Sequence, residues 1–259
     1  MFRKDMKRIS NIWIIISLTV ILSSCARAPI KPTVSPTQEI YPQLTGPILR
    51  QDLFHAVAPG ETLWRISKMY DVKIEDIMRA NNLNKSKELE MGQRLLIPQA
   101  APIRPVIALY RSNKWRYIII HHSATDEGNA FDFDKLHKRK GWEGIGYDFV
   151  IDNGSNGKAD GQIEVSPRWI KQEDGAHCRA SDMNSKGIGI CLVGNFSKER
   201  VSEKQMASVV YLVNILRKYY KIPQNHIMGH GRVPGAKTEC PGKYFPWREF
   251  YNKLNSNIQ

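Results

Sequence analysis

The length and composition of the chain are those of an ordinary globular protein, with 259 residues, a hydrophobic fraction of 42% and a charged fraction of 24%, which leaves room for about one to two domains. A net charge of +13 indicates an anionic partner, such as a membrane surface or an acidic polymer. Because no nucleic-acid-binding motif accompanies this charge, we exclude nucleic acid as the partner.

The N-terminus has the features of an export signal. A basic start is followed by an apolar run from Ile12 to Leu22, which as a helix would rise about 16 Å, too little to span a bilayer core of about 30 Å. The basic head, the short apolar stretch and the small residues after it indicate a secretory signal over residues 1–24. The stretch LSSC, which ends at Cys25, resembles a bacterial lipobox. This resemblance implies that Cys25 becomes the acylated first residue of the exported protein.

A lipobox cysteine implies a lipid-anchored protein of the bacterial cell envelope, since two or three acyl chains hold a protein firmly on a membrane. In a cell with two membranes, Ala26 next to the anchor favours the periplasmic face of the outer membrane. The alternative is an uncleaved membrane anchor in which Cys25 has no role.

Residues 25–52 are predicted to form an extended tether. The segment has little apolar periodicity, and its prolines remove amide donors and bias their neighbours away from helix. These prolines are Pro29, Pro32, Pro36, Pro42 and Pro47. Such a spacer would let a folded body reach tens of ångströms from the membrane.

Residues 53–99 are predicted to form a small βααβ domain. A short extended stretch ends at Pro59-Gly60, two segments with apolar residues at helical spacing follow, and Leu95-Leu96-Ile97 closes the unit as a second strand. The stretches VAPGETLWRISKMYDV, IEDIMRANNL and GQRLLIP resemble a LysM domain across the whole unit. The resemblance implies binding of glycans that contain N-acetylglucosamine, such as peptidoglycan. A helical hairpin with a purely structural role is the alternative.

The rest of the chain has an α/β pattern after a second linker, predicted at residues 100–114 from its two prolines. Continuous apolar stretches are typical of strands that are buried on both faces. They occur at Tyr117-Ile118-Ile119-Ile120, Phe149-Val150-Ile151 and Ile188–Val193. Ser202 and Gln205 have the spacing of a capping box, which predicts a helix that runs to about Tyr220. We therefore predict a mixed central sheet flanked by helices over residues 115–255.

Two histidines stand where the first of these strands ends. His121 and His122 follow the apolar run, and functional sites gather at strand ends in α/β sheets. A distant loop rich in glycine and proline presents His230 and Cys240. Imidazole and thiolate are preferred ligands of zinc, and two histidines with one cysteine leave the fourth tetrahedral position open, as in catalytic sites. Residue type alone is weak evidence, because histidines more often have structural roles.

Three cysteines remain besides Cys25, and this odd number means that at least one has a role other than intramolecular pairing. Metal ligation by Cys240 is one such role. A disulfide between Cys178 and Cys191 stays open as an alternative for the other two.

Four separated motifs strengthen the metal-site hypothesis. The stretches IIIHHSAT, GIGYDFVI, GIGICLVGNF and GHGRVPGAKTECPGKYFPW occur in this order within residues 115–255. Together they resemble the zinc N-acetylmuramoyl-L-alanine amidases, a superfamily that includes the phage amidase-type lysozymes and the animal peptidoglycan recognition proteins. The resemblance implies a metal-lined groove in which activated water hydrolyses the amide between N-acetylmuramic acid and L-alanine of peptidoglycan.

The same resemblance implies that His121, His230 and Cys240 hold Zn²⁺. His121 is preferred over His122 because the family's ligand directly follows the apolar strand, and alternate residues of a strand point to opposite faces. Tyr147 matches the family's catalytic tyrosine, which orients the water or stabilises the developing charge. A half-buried aromatic with only a packing role is the alternative for Tyr147.

Four further residues receive expected roles from the resemblance. Some relatives have a basic residue two positions before the third ligand and others have threonine; here that position is Thr238, with Lys237 beside it. Which of the two faces the metal and assists catalysis stays open. His177 matches a histidine of the substrate groove, and Arg232 could orient the loop or the substrate. Structural roles are the alternatives for His177 and Arg232.

One departure from the superfamily is informative. The cytosolic amidases that recycle anhydro-muropeptides carry a glutamate in the strand that here reads Gly189-Ile190-Cys191-Leu192, and an aspartate where this chain has Cys240. The chain is therefore more similar to the phage and recognition-protein branch.

We therefore expect a monomeric hydrolase that is held on the membrane by its N-terminal lipid, with peptidoglycan as both its substrate and its LysM ligand. A catalytically inactive peptidoglycan-binding lipoprotein is the main alternative, because some recognition proteins lack a metal ligand. A glycosidase would need a suitably spaced pair of carboxylates, and none of the four motifs supplies one.

Overall fold

The structure, a computed structural model, describes residues 35–84 and 89–256. The predicted signal peptide, Cys25 and the first ten residues of the predicted tether lie outside this range. Among the described residues, none of the helices combines the length and the apolar character that crossing a membrane requires.

The described residues form strands and helices that include every element predicted from the sequence, together with elements that were not predicted. The strands are β1 (Gln38–Ile40), β2 (Gln51–Ala56), β3 (Arg94–Ala100), β4 (Ile107–Leu109), β5 (Tyr117–His122), β6 (Phe149–Asn153), β7 (Asp160–Val165), β8 (Gly187–Leu192) and β9 (Ile227–Gly229). The α-helices are α1 (Leu63–Tyr70), α2 (Ile74–Ala80), α3 (Ala130–Arg139), α4 (Pro167–Lys171), α5 (Met183–Lys186), α6 (Glu203–Tyr220) and α7 (Trp247–Ser256).

The predicted βααβ unit is confirmed. Strands β2 and β3 pair antiparallel, and the two short helices α1 and α2 lie between them in the chain. The fully buried side chains of Ile66, Ile77, Leu95 and Ile97 form the centre of its small core. The side chain of Thr62 begins α1 by accepting a hydrogen bond from the Arg65 amide at 3.2 Å, which satisfies one of the amides that a helix start leaves unpaired.

The predicted mixed sheet is also confirmed. Its strand order is β7-β6-β8-β5-β9, in which β7 runs antiparallel to β6 and the other neighbours are parallel. The three central strands are almost wholly buried, because helices pack against the sheet and its strands are apolar on both faces. This topology brings the C-terminal ends of β5, β8 and β9 to one edge of the sheet.

The long helix α6 begins with the predicted capping box. The Ser202 hydroxyl accepts a hydrogen bond from the Gln205 amide at 3.0 Å, and the Gln205 side chain returns to the Ser202 amide. We expect Ser202→Ala to lower the free energy of unfolding by about 1–2 kcal/mol, because the helix start loses its cap. Urea unfolding checks this value. Ser202→Thr is the control, since it keeps the hydroxyl and should lose only a fraction of that amount.

The predicted tether and second linker need correction. Residues Gln38–Ile40 form β1, which pairs antiparallel with β4 in the segment predicted as the linker. Ile107, Leu109 and Tyr110 are buried in the main core. The prolines of residues 100–114 suggested an unstructured spacer. The apolar residues that follow these prolines are instead buried against the mixed sheet and form β4, and the free edge of β4 pairs with β1. Both β1, from the predicted tether, and β4, from the predicted linker, are therefore part of the folded body.

Hydrogen bonds from charged side chains join the βααβ unit to the rest of the fold. Lys158, after β6, donates to the Ala56 carbonyl of the βααβ unit at 2.8 Å and also forms an ion pair with Glu164 of its own domain at 2.8 Å. The Arg65 guanidinium donates to the Val106 carbonyl. Both ends of the Lys158–Glu164 pair are almost completely buried, so the two units contact each other through desolvated charges.

Glu61 lies close to this junction, and protonation of its carboxylate makes the stability of the folded state depend on pH. Its carboxylate accepts hydrogen bonds from the Ala58 amide and from His55 Nε2, both at 2.7 Å. Burial alone would raise the pKa of Glu61, but His55, Lys158 and the Ala58 amide together lower it to about 2. A lowered carboxyl pKa stabilises the folded state above the ordinary value of 4.5, and this stabilisation is lost as the pH falls toward 2.

We therefore expect Glu61→Gln to destabilise the protein by up to about 3 kcal/mol near neutral pH, and this difference should shrink as the pH falls from about 5 to 3. Urea unfolding of both proteins across that pH range measures it. Glu90→Gln, which changes an exposed glutamate of the same unit, is the control and should give a small difference that does not vary with pH in this way. A pH-independent effect of Glu61→Gln would contradict the prediction.

Candidate metal centre

The site lies at the sheet edge where β5, β8 and β9 end. His121, the second-last residue of β5, is buried, and it pairs with Cys191 on β8. On the other side of β5, strand β9 ends at Gly229, directly before His230. Two chain segments that are more than 100 residues apart in sequence therefore reach the same edge as neighbours in the sheet.

The loop that follows β9 folds back on itself and brings Cys240 to His230. The Gly231 amide donates to the Cys240 carbonyl at 2.8 Å. A side chain at Gly231 would come within 2.3 Å of the Thr238 carbonyl oxygen, and one at Gly229 within 2.6 Å of Pro241. These two glycines are needed because the two arms of the loop approach too closely for a Cβ atom.

The three residues meet in one cluster. Ligand atoms of His121, His230 and Cys240 all lie within 4.8 Å of one another, and Cys240 Sγ is 3.7 Å from His121 Nδ1. In a tetrahedral zinc site, nitrogen and sulfur ligands are separated by about 3.6 Å, given metal distances of about 2.1 and 2.3 Å. The donor set and its spacing therefore fit a zinc ion with one further coordination position.

The other histidine of the pair points elsewhere. His122 Nδ1 accepts a hydrogen bond from the Phe196 amide at 3.1 Å. Its own backbone amide donates to Cys240 Sγ at 3.4 Å, so His122 supports the sulfur through its main chain while its ring packs away from the cluster. The alternation of side chains along β5 separates the two rings.

The surroundings favour the forms of the side chains that bind metals. Burial, together with the neighbouring rings of His177 and His230, lowers the pKa of His121 well below its ordinary value, so its imidazole stays neutral and can ligate. Burial raises the pKa of Cys240 to about 12. Formation of the thiolate there therefore depends on a bound cation, which lowers the pKa of a coordinating thiol.

Tyr147 lies beside the cluster. Its ring centroid is 5.3 Å from that of His121, and the Cys191 thiol lies near its hydroxyl. Burial raises the pKa of Tyr147 well above its ordinary value, as do the nearby thiols, so the phenol stays protonated and remains a hydrogen-bond donor.

His177 requires a correction. The sequence interpretation placed it in the substrate groove, but its side chain is completely buried. Its Nδ1 is 3.1 Å from His121 Nε2 and its Nε2 is 3.2 Å from the Gly187 carbonyl. His177 therefore lies behind the cluster, enclosed by protein, and not on an open groove surface.

The remaining predicted residues lie on the ligand loop. The Thr238 hydroxyl accepts a hydrogen bond from the Cys240 amide at 3.2 Å, so it supports the backbone of the third ligand. Lys237 is exposed beside it. The Arg232 guanidinium lies 5.2 Å from the centre of the Trp247 ring, a cation–π contact that fixes one side of the loop. Cys178 and Cys191 are free thiols, so the alternative of a disulfide between them is not realised.

Two residues near the site were missed by the sequence interpretation. Cys191 is the β8 residue paired with His121 on β5, and Asp148, fully buried beside Tyr147, accepts a hydrogen bond from the Gly189 amide at 2.7 Å. A parallel alignment of β5 with β8 would have placed Cys191 next to His121. An acidic residue at the entrance of an apolar strand would have pointed to Asp148, because a buried carboxyl needs a partner.

Known proteins share both units of the chain. The N-acetylmuramoyl-L-alanine amidase family (Amidase_2) matches residues 111–243, and the LysM domain matches residues 55–98. Peptidoglycan-recognition protein SC2 of Drosophila melanogaster is 31% identical over 152 residues, which cover 53% of this chain and 73% of that protein. N-acetylmuramoyl-L-alanine amidase of Sus scrofa is 27% identical over 157 residues, which cover 55% of this chain but only 24% of that longer protein.

Among solved structures, the endolysin LysCS, an N-acetylmuramoyl-L-alanine amidase from Clostridium intestinale URNW, is 34% identical, with 55% of this chain and 84% of that chain covered at a TM-score of 0.48. The family match spans half of the chain, includes the three clustered residues and lies on the mixed sheet described above. The chain therefore belongs to the N-acetylmuramoyl-L-alanine amidase family and carries a LysM domain.

Proposed function

We propose that the protein is a zinc-dependent N-acetylmuramoyl-L-alanine amidase that hydrolyses the amide between N-acetylmuramic acid and L-alanine in peptidoglycan. The observation that carries this proposal is the convergence of His121, His230 and Cys240 at one sheet edge, with ligand atoms within 4.8 Å of one another. Two nitrogens and one sulfur leave a position for water or substrate, as catalytic zinc sites require.

The chain's own residues divide the work of the reaction. His121, His230 and Cys240 would hold the ion, which when bound lowers the pKa of water toward about 7 and polarises the scissile carbonyl. Tyr147 stays protonated, so its hydroxyl can donate a hydrogen bond to the oxygen on which charge develops. The Thr238 hydroxyl accepts from the Cys240 amide and keeps its own hydrogen for donation. Lys237 and Thr238 are both exposed, so either side chain of the pair is available to a substrate.

The LysM unit would hold the glycan while the amidase domain acts on the stem peptide. The two units belong to one folded body, joined through Lys158 and through β1 and β4. Binding of a neighbouring glycan segment raises the effective concentration of the scissile bond without new contacts at the metal.

We also propose that Cys25 carries the lipid that holds the protein on the membrane, on the periplasmic face of the outer membrane in a cell with two membranes. Cys25→Ser is expected to abolish incorporation of a labelled fatty acid and to move most of the protein from the membrane fraction to the soluble fraction, because two or more acyl chains are lost. Metabolic labelling and fractionation measure both effects. Cys178→Ser, which removes a thiol of the folded body, is the control and should remain labelled.

Digestion of purified peptidoglycan tests the proposed activity. The protein should release muropeptides with a free L-alanine amine and intact glycan strands, as read by mass spectrometry. A chelator should abolish this release, and added zinc should restore it. Protein that binds zinc and sediments with peptidoglycan but frees no amine would show a recognition protein instead. Cleavage within the stem peptide or the glycan would show a different hydrolase.

A further inference from the structure

We infer that His177 is a positioning residue that sets the ring tautomer of His121, so that His121 presents Nδ1 rather than Nε2 to the metal. The consequence for metal binding rests on the proposed function. The tautomer itself is a property of the protein alone and can be tested without metal or substrate.

The hydrogen bonds of His177 determine where its proton lies. Its Nε2 is 3.2 Å from the carbonyl oxygen of Gly187. A carbonyl oxygen only accepts, so Nε2 must carry the hydrogen of this bond. In a neutral imidazole the other nitrogen then has a lone pair and accepts. His177 Nδ1 is therefore an acceptor.

This acceptor in turn determines the tautomer of His121. His177 Nδ1 lies 3.1 Å from His121 Nε2, so Nε2 of His121 must donate to it. The neutral His121 ring then has an unprotonated Nδ1. That atom lies 3.7 Å from Cys240 Sγ, on the side where the cluster forms. The two successive hydrogen bonds, from His121 to His177 and from His177 to the Gly187 carbonyl, thus leave His121 Nδ1 unprotonated and facing the other two ligands. Hydrogen-bond partners outside the ligand set orient metal-binding histidines in this way in metal sites generally.

The His177 ring is held in this orientation by a slot between two glycines. A Cβ atom on Gly175 or on Gly189 would lie 2.4 Å from His177 Cδ2 in each case. Neither glycine has a positive φ, so the space taken by the ring, and not the backbone conformation, requires glycine at both positions. The backbone of the loop is fixed as well, because the His177 amide donates to Asn184 Oδ1 at 2.9 Å.

Gly189, one of the two glycines beside the His177 ring, is itself held in place by two hydrogen bonds with Asp148. The Gly189 amide donates to Asp148 Oδ2 at 2.7 Å, and the Asp148 amide donates to the Gly189 carbonyl at 2.9 Å. Asp148 Oδ2 is 4.0 Å from His177 Nε2, which is too far for a hydrogen bond. Asp148 therefore holds Gly189 in place without a hydrogen bond to His177, and the Gly187 carbonyl remains the acceptor for the His177 ring.

The tautomers can be read directly from the full chain. We expect long-range ¹H–¹⁵N correlation spectra of the protein, purified in detergent and freed of metal by chelation, to show both His177 and His121 protonated at Nε2 only. His177→Ala identifies the signals. A His121 ring protonated at Nδ1 would overturn the inference.

Zinc affinity, measured by competition with a chromophoric chelator, gives the second readout. His177→Ala is expected to weaken zinc binding about 10–100-fold, as loss of an outer partner does in other sites. His177→Asn should recover most of this loss, because its Oδ1 can replace Nδ1 as the acceptor. Gly189→Ala should reproduce the loss by displacing the ring. His226→Ala is the matched control, since His226 Nδ1 is also bonded to a carbonyl, that of Arg116, but outside the cluster.

Unchanged zinc affinity in His177→Ala, or equal losses in His177→Ala and His177→Asn, would overturn the inference. If His177→Ala does not fold, the spectra of the unaltered protein still decide. Failure of the proposed amidase activity would look different, because zinc affinity and both tautomers would be as expected while peptidoglycan stays intact.

Discussion

Cys240→Ser is expected to reduce both the bound zinc and the release of L-alanine amines by more than about 100-fold, since loss of even an outer partner of a metal ligand costs 10–100-fold. The Cys240 sulfur lies at 3.7 Å from His121 Nδ1 and belongs to the cluster of three ligand atoms. A serine hydroxyl does not ionise near neutral pH and is a poor zinc ligand. Two imidazoles alone would then have to retain the ion.

The measurement combines metal analysis of protein dialysed against limiting zinc with digestion of purified peptidoglycan. Cys178→Ser is the matched control, because Cys178 is also a free thiol but lies outside the cluster. It should keep its zinc and its activity. Retention of zinc by Cys240→Ser within a few-fold of the unaltered protein would remove Cys240 from the ligand set, and with it the main support for the proposed catalyst.

The residues of the cluster could be predicted from the sequence mainly because four separated motifs resemble those of the zinc amidases. Residue chemistry contributed less: His121 directly follows an apolar strand, and His230 and Cys240 lie in a loop rich in glycine and proline. Imidazole and thiolate suit zinc, but histidines more often have structural roles, so residue type alone was weak evidence. The two strands of the βααβ unit, the strands β5 to β8 of the mixed sheet and the helix α6 were also predictable, since apolar runs and a capping box are local signals.

The location of His177 could not be predicted in the same way. Its loop has no periodicity, and the ring is fixed by Gly175 of the same loop, by Gly187 and Gly189 of β8, and by the distant His121 of β5. The pairing of β1 with β4 was missed for a similar reason: strand pairing across about 70 residues depends on which edge is left exposed after the main sheet forms. Non-local contacts of this kind leave no short-range pattern.

Lys158→Ala is expected to lower the free energy of unfolding by about 3–5 kcal/mol, because removal of one partner of a buried ion pair leaves the other charge without compensation. Lys158 and Glu164 are 2.8 Å apart, and their side chains are only 2% and 0% exposed. Burial alone would lower the pKa of Lys158, but Glu164 and Glu61 raise it, so the amine is charged in the folded protein. The same amine donates to the Ala56 carbonyl of the LysM unit.

The surroundings of Glu164 limit the ways in which the protein could neutralise or solvate its carboxylate after Lys158 is removed. Burial and the charge of Glu164 raise the pKa of the neighbouring Asp152 well above its ordinary value, so the pocket already keeps one carboxyl neutral. Glu164 also accepts from the Ala130 amide at the start of α3 at 2.7 Å, which prevents the carboxylate from moving to water without uncapping that helix.

Two further variants separate charge burial from a general loss of packing. Lys253→Ala breaks a lysine–glutamate pair whose side chains are 50% and 55% exposed, and it should change the unfolding free energy by less than about 1 kcal/mol. The double variant Lys158→Met, Glu164→Gln removes both buried charges, keeps a side-chain oxygen for the Ala130 amide and should recover most of the lost stability. Urea unfolding measures all three. If the double variant is as unstable as Lys158→Ala, the lysine acts through packing against the LysM unit and not by compensating the charge of Glu164.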